Sequence, residues 1–175
     1  MGPVPNSKLS AELLGYSADG KPVYLSKKST HAKTHIAHHP KLLQAVKDNL
    51  GMITLDTNMI RLELTASEII GTCDLVETDL NDEIVYVIRV GRTTYSRFAK
   101  HREPVPTSSF IVDIRRDLDT DSNYYLYTAF VGSLTPSFPG GDFMPERSKE
   151  FWSNHALVYG TQELIPGTET TTCPW

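Results

Sequence analysis

The sequence predicts an α+β fold: N-terminal helices, a small antiparallel sheet of three to four strands, and one C-terminal helix. Three observations carry this expectation. Residues 29–50 hold a histidine-rich stretch followed by Leu42, Leu43, Val46 and Leu50, an apolar stripe at helical spacing. Residues 83–131 hold three runs rich in β-branched and aromatic residues. Residues 148–159 place Phe151, His155 and Val158 or Tyr159 on one side of a helix.

The chain of 175 residues suits one domain able to bury a core without staples. We expect a loose segment at 1–19, a domain at 20–160 and a C-terminal tail at 161–175. Residues 10–15 read as one helical turn stopped by Gly15. Asp19-Gly20-Lys21-Pro22 is a turn signal, and Val23-Tyr24-Leu25 a short extended piece. A helix over 29–38 should stop before Pro40, which disfavours α geometry in the residue before it and can open the next helix. Gly51 ends that second helix. Ile60 to Leu64 alternates like a strand, and 65–76 reads as a short helix. Strands follow at 83–90, 108–115 and 124–131, with a polar hairpin loop at 117–123. Between the first two lies a long basic loop, 92–107, and long loops in compact domains often carry function. Residues 135–141 read as irregular.

No apolar run approaches the roughly 18 residues of a membrane helix, and residues 1–6 do not read as a signal peptide. Cys73 and Cys173 sit in no paired motif. No phosphate-loop or nucleophile-elbow pattern occurs. The net charge of −4, taken alone, argues against a nucleic-acid binder. Its distribution does not. Residues 21–41 contain five lysines and no acid, and residues 84–116 contain seven Arg/Lys against Glu103 and Asp113. Two basic segments in an otherwise acidic chain could converge on one anionic substrate, or be two solvated faces.

Four of the six histidines, at 31, 35, 38 and 39, fall within eleven residues of one of those segments. Histidine changes charge near neutral pH, so the cluster is a candidate for acid/base work or for metal binding. His31, His35 and His39 stand at helical spacing, but no carboxylate lies nearby and Pro40 breaks the turn. Metal-free RNA cleavage fits these residue types better. It needs a base for the 2′-OH, an acid for the 5′-oxygen and cations for the charged phosphorane. The histidine helix, the basic loop and the Tyr/Thr-rich last strand supply them.

The order of several stretches resembles the barnase/EndoU/colicin/RelE-like nuclease superfamily, in its phage- and toxin-associated branch. They are Gly20-Lys21-Pro22-Val23-Tyr24-Leu25-Ser26, Lys33-Thr34-His35-Ile36 through His39-Pro40, Tyr95-Ser96-Arg97-Phe98 with Pro106-Thr107, Tyr125-Leu126-Tyr127-Thr128-Ala129-Phe130, and Phe151-Trp152-Ser153-Asn154-His155-Ala156-Leu157. The resemblance implies a helical part followed by a small antiparallel sheet. It also implies a cofactor-free, metal-independent ribonuclease, often directed at tRNA and often a toxin neutralised by an immunity partner. The site of action would be cytoplasmic, reached in some cases by delivery into a target cell. On that reading His35 is the first candidate for general acid/base, His39 the second, and His155 a further one, unless it is a core histidine. Lys33, Arg97, Lys100 and Arg115 would bind phosphate. Thr128 and Tyr127 would contact the scissile group, although strict strand alternation puts them on opposite faces and favours Thr128. A non-catalytic module that recognises RNA or protein, and a histidine-bound metal site, remain open alternatives.

Overall fold

The computed structural model describes residues 11–120, 123–140 and 146–175. Residues 1–10 of the expected N-terminal segment, two residues of the 117–123 loop and residue 141 lie outside the described residues. The chain divides into two compact units. Unit 1 comprises Met1–Gly71 and Pro106–Leu134, and unit 2 comprises Thr72–Val105 and Thr135–Trp175.

The expected fold class is corrected. The described residues are mostly β, with eleven strands in three sheets and only three short helices. In unit 1, β1 (Glu12–Tyr16), β2 (Pro22–Leu25), β3 (Met59–Thr65), β9 (Ser109–Arg116) and β10 (Tyr124–Val131) form one sheet in the order β1-β2-β10-β9-β3. All neighbours are antiparallel except β2 and β10. Its helices are α1 (Thr30–His38) and α2 (Leu42–Asn49), followed by a 3-10 turn at Leu50–Met52. His39, the residue before Pro40, is extended and ends α1, as the proline requires.

In unit 2, β5 (Leu75–Glu77), β6 (Glu83–Ile88), β7 (Tyr95–Lys100) and β11 (His155–Val158) form a second sheet in the order β5-β11-β7-β6, with α3 (Arg147–Asn154) leading into β11. β4 (Gly71–Cys73) and β8 (Val105–Thr107) make up the third, two-stranded sheet.

Four local departures explain the error in class. The supposed short helix at 65–76 contains β4 and the start of β5. The supposed helical turn at 10–15 contains β1, which buries only Leu14. The supposed basic loop contains β7, which buries Ser96, Phe98 and Ala99 and pairs along its whole length with β6. The supposed C-terminal helix ends at Asn154. Ala156 and Val158 then alternate into the core of unit 2 as β11, parallel to β7. The last residues are also engaged: Tyr86 and Thr170 exchange both backbone hydrogen bonds, at 2.8 and 2.9 Å. Among the described residues no helix is long and apolar enough to cross a membrane.

The core of unit 1 lies on one face of its sheet. Val23, Phe110, Val112, Ile114, Leu126 and Ala129 meet Ala32 of α1 and Leu42 and Val46 of α2 there. This packing uses the apolar stripe of α2 and a single buried position of α1, which leaves the α1 histidines for the second face.

Candidate functional site

The second face of the unit 1 sheet owes its composition to one β-bulge. Leu126 pairs with Ile114, and Thr128 pairs with Asp113, so Tyr127 is the extra residue. A bulge shifts the side-chain alternation by one. Thr128 therefore joins Tyr127 on the face opposite Leu126 and Ala129. The alternation expected from the sequence, which separates Tyr127 from Thr128, is corrected here.

Register then fixes the other members of the face. Thr128 stands opposite Asp113, Tyr125 opposite Arg115, and Phe130 opposite Ile111. Across β9, Asp113 is opposite Arg61 and Ile111 opposite Glu63. The face thus carries two arginines, three aromatic rings, a hydroxyl and two carboxylates: the buried Asp113 and the exposed Glu63, which accepts a hydrogen bond from the Leu134 N–H at 2.8 Å.

Contacts hold these groups in place. The Asp113 side chain is 2 % exposed and accepts a hydrogen bond from Arg115 Nε at 3.1 Å. That bond, and the Asp113 charge, raise the Arg115 pKa above its already high value, so the guanidinium is a permanent cation. The guanidinium lies 3.5 Å from the Tyr127 ring centroid, and that of Arg61 lies 5.7 Å from Phe130. A cation held over a ring by a buried carboxylate is pre-organised for an anion.

Helix α1 brings imidazoles to the same two rings. His31 lies 5.7 Å from Tyr127, and His35 lies 5.9 Å from Phe130, centroid to centroid. Partial burial lowers the His35 pKa, and His39, His31 and His38 lower it further by charge repulsion. A neutral imidazole beside fixed guanidinium groups can accept a proton; the guanidiniums cannot.

Of the other expected residues, Lys33 is exposed on α1. His39 packs over Gly71, where an added Cβ would fall 3.0 Å from its Nδ1. His38 Nδ1 lies 2.8 Å from the Thr34 carbonyl. Among the described residues no group of three or more His, Cys, Asp or Glu converges as metal ligands would.

His155, Arg97 and Lys100 belong to unit 2. His155 stacks face to face on Phe151 at 4.0 Å, and its Nδ1 lies 3.0 Å from the Phe151 carbonyl. Arg97 donates to Thr78 Oγ1 and to the His155 carbonyl, each at 2.8 Å. Lys100 pairs with Glu169 at 3.7 Å and covers the Tyr159 ring at 5.1 Å. Each of these three thus has bonding partners inside its own unit.

Sequence reasoning singled out His35, Tyr127, Thr128 and Arg115, but not Arg61 or Asp113, and it weighed His31 only as a member of the histidine cluster. Asp113 had a signal: it is the lone carboxylate in the apolar run Phe110-Ile111-Val112-Asp113-Ile114, with an arginine two residues on. Arg61 had none, because its place depends on the pairing of β3 with β9.

No protein-family model, curated protein or solved structure matches this chain.

Proposed function

We propose that unit 1 is a metal-independent ribonuclease and that the second face of its sheet is the active site. The observation that carries this reading is the convergence of His31 and His35 with Arg115 and Arg61 on the rings of Tyr127 and Phe130. In this scheme His35, neutral near pH 7, takes the 2′-OH proton. The 2′-oxygen attacks phosphorus, the P–O5′ bond breaks, and His31, one helical turn earlier, returns a proton to the leaving oxygen. Arg115 and Arg61 oppose the charge that grows on the phosphorane, and the Thr128 hydroxyl is a further donor. The products are a 2′,3′-cyclic phosphate and a 5′-hydroxyl.

The test is incubation of the whole chain with single-stranded RNA and with tRNA in EDTA, followed by end-group analysis. Discrete fragments ending in a cyclic phosphate are expected. RNA that binds but stays intact would favour the second reading, a module that holds RNA without cutting it. Arginines over aromatic rings would serve that role equally well.

Asp113 acts here as a positioning residue for Arg115. Asp113→Asn keeps the shape but removes the charge-assisted bond, which is worth roughly 1.5–3 kcal/mol. The kcat/KM for cleavage should fall by about 10- to 100-fold, with kcat sharing in the loss because Arg115 meets charge that grows in the transition state, while Arg115→Lys on the wild-type background is not rescued by its charge alone. Steady-state kinetics on a short RNA check both; an unchanged kcat/KM in Asp113→Asn would remove Asp113 from the site.

A further inference from the structure

The second face continues beyond Arg115. Tyr125, opposite Arg115 on one side, pairs in parallel register with Tyr24 of β2 on the other. Val23 and Leu25 are buried on the core face, so Tyr24 projects to the same side as Tyr125. These two rings line a cleft of about 640 Å³. That lies within the ~300–1,000 Å³ of typical small-ligand sites.

Ala11 and Tyr124 also line the cleft, and the rest of its lining is polar and partly fixed. Lys28 donates to Asp117 and Asp119, each at 2.7 Å, and its ammonium lies 5.6 Å from the Tyr125 centroid. Lys28 is therefore committed to two carboxylates. Lys27, also lining the cleft, is exposed. Asn123 and Thr120 supply amide and hydroxyl groups on the cleft wall. Tyr125 is two residues from Tyr127, or about 7 Å along the strand.

We infer that this cleft is a nucleotide subsite, which takes one unpaired nucleotide of the RNA strand whose scissile phosphate lies on Arg115. This rests on the ribonucleotide-binding reading of the neighbouring face. The base stacks on the Tyr24 and Tyr125 wall, its edge meets Asn123 and Thr120, and its phosphate meets Lys27. A base in a duplex cannot reach that wall, so the subsite selects single strands.

The test uses fluorescent 2′-O-methyl oligoribonucleotides, which cannot be cleaved by 2′-OH attack, from dinucleotide to octanucleotide. Binding to the whole chain is followed by anisotropy in EDTA. Tyr24→Ser should weaken octanucleotide binding by roughly 5- to 150-fold, the worth of one base stack. Lys27→Ser, at an exposed position where folding is not at risk, should lower the salt slope of octanucleotide binding by about one phosphate contact. If the octanucleotide binds wild type and both variants alike, with the same salt slope, while Arg115→Ala weakens it, the subsite is wrong and the reading of the face stands. Equal affinity for a duplex octamer overturns the unpaired-base assignment. If wild type binds no oligomer, the face and the subsite fall together.

Discussion

His35→Ala is expected to lower RNA cleavage by about 10²–10⁴-fold, the usual loss when a positioned acid/base group is removed. The fold should survive, because the His35 ring is partly exposed and meets Phe130, and neither residue belongs to the core of unit 1. The pH profile gives an independent check. Burial first, then His39, His31 and His38, hold the His35 pKa below the ordinary histidine value of about 6.5. A base must be neutral to act, so the wild-type rate should rise with pH through a midpoint below that value. Removing His39 or His38 should move the midpoint up. Stability follows the same sign. The unfolded chain binds the His35 proton more readily than the folded one. The contribution is therefore complete above the unfolded value and is lost as pH falls through the folded one. An unchanged rate in His35→Ala, in protein that melts normally, would assign the base elsewhere.

The parts of this face that were legible in the sequence are those set by local pattern. β9 and β10 show as runs of β-branched and aromatic residues, and Pro40 marks the corner between α1 and α2. What was not legible depends on pairing. The bulge at Tyr127 has no glycine or other local mark, yet it decides that Tyr127 and Thr128 share a face. Arg61 matters only because β3 lies beside β9.

In unit 2, β6 was legible as the run 83–90, but β7 and β11 were hidden in another way. β7 buries Ser96, Phe98 and Ala99 in place of a clean alternation, and its Arg97 and Lys100 find partners that make them tolerable in a sheet. At the C-terminal helix the pattern was half right. Phe151 and His155 do meet at helical spacing, but the chain turns extended at His155, which pairs with Glu77 of β5, and β7 offers a parallel neighbour at Leu157 and Val158.

Trp152→Ala is expected to cost about 3–5 kcal/mol, the range for removing a large aromatic side chain from a core. The indole is 1 % exposed and stacks on Phe138 at 3.8 Å with a 17° tilt. Phe151 meets it edge-on at 5.0 Å, and its Nε1 donates to the Pro136 carbonyl at 3.0 Å. Three terms are therefore lost together: buried area, ring pairing and one hydrogen bond. Trp152→Phe separates them. It keeps a ring on Phe138 and loses the N–H, so it should cost about 1–3 kcal/mol. Denaturant titration together with amide exchange on β6, β7 and β11 reads both changes. A loss of under about 1 kcal/mol in Trp152→Ala would mean that the cavity refills, and that α3 is held to unit 2 by contacts other than the indole.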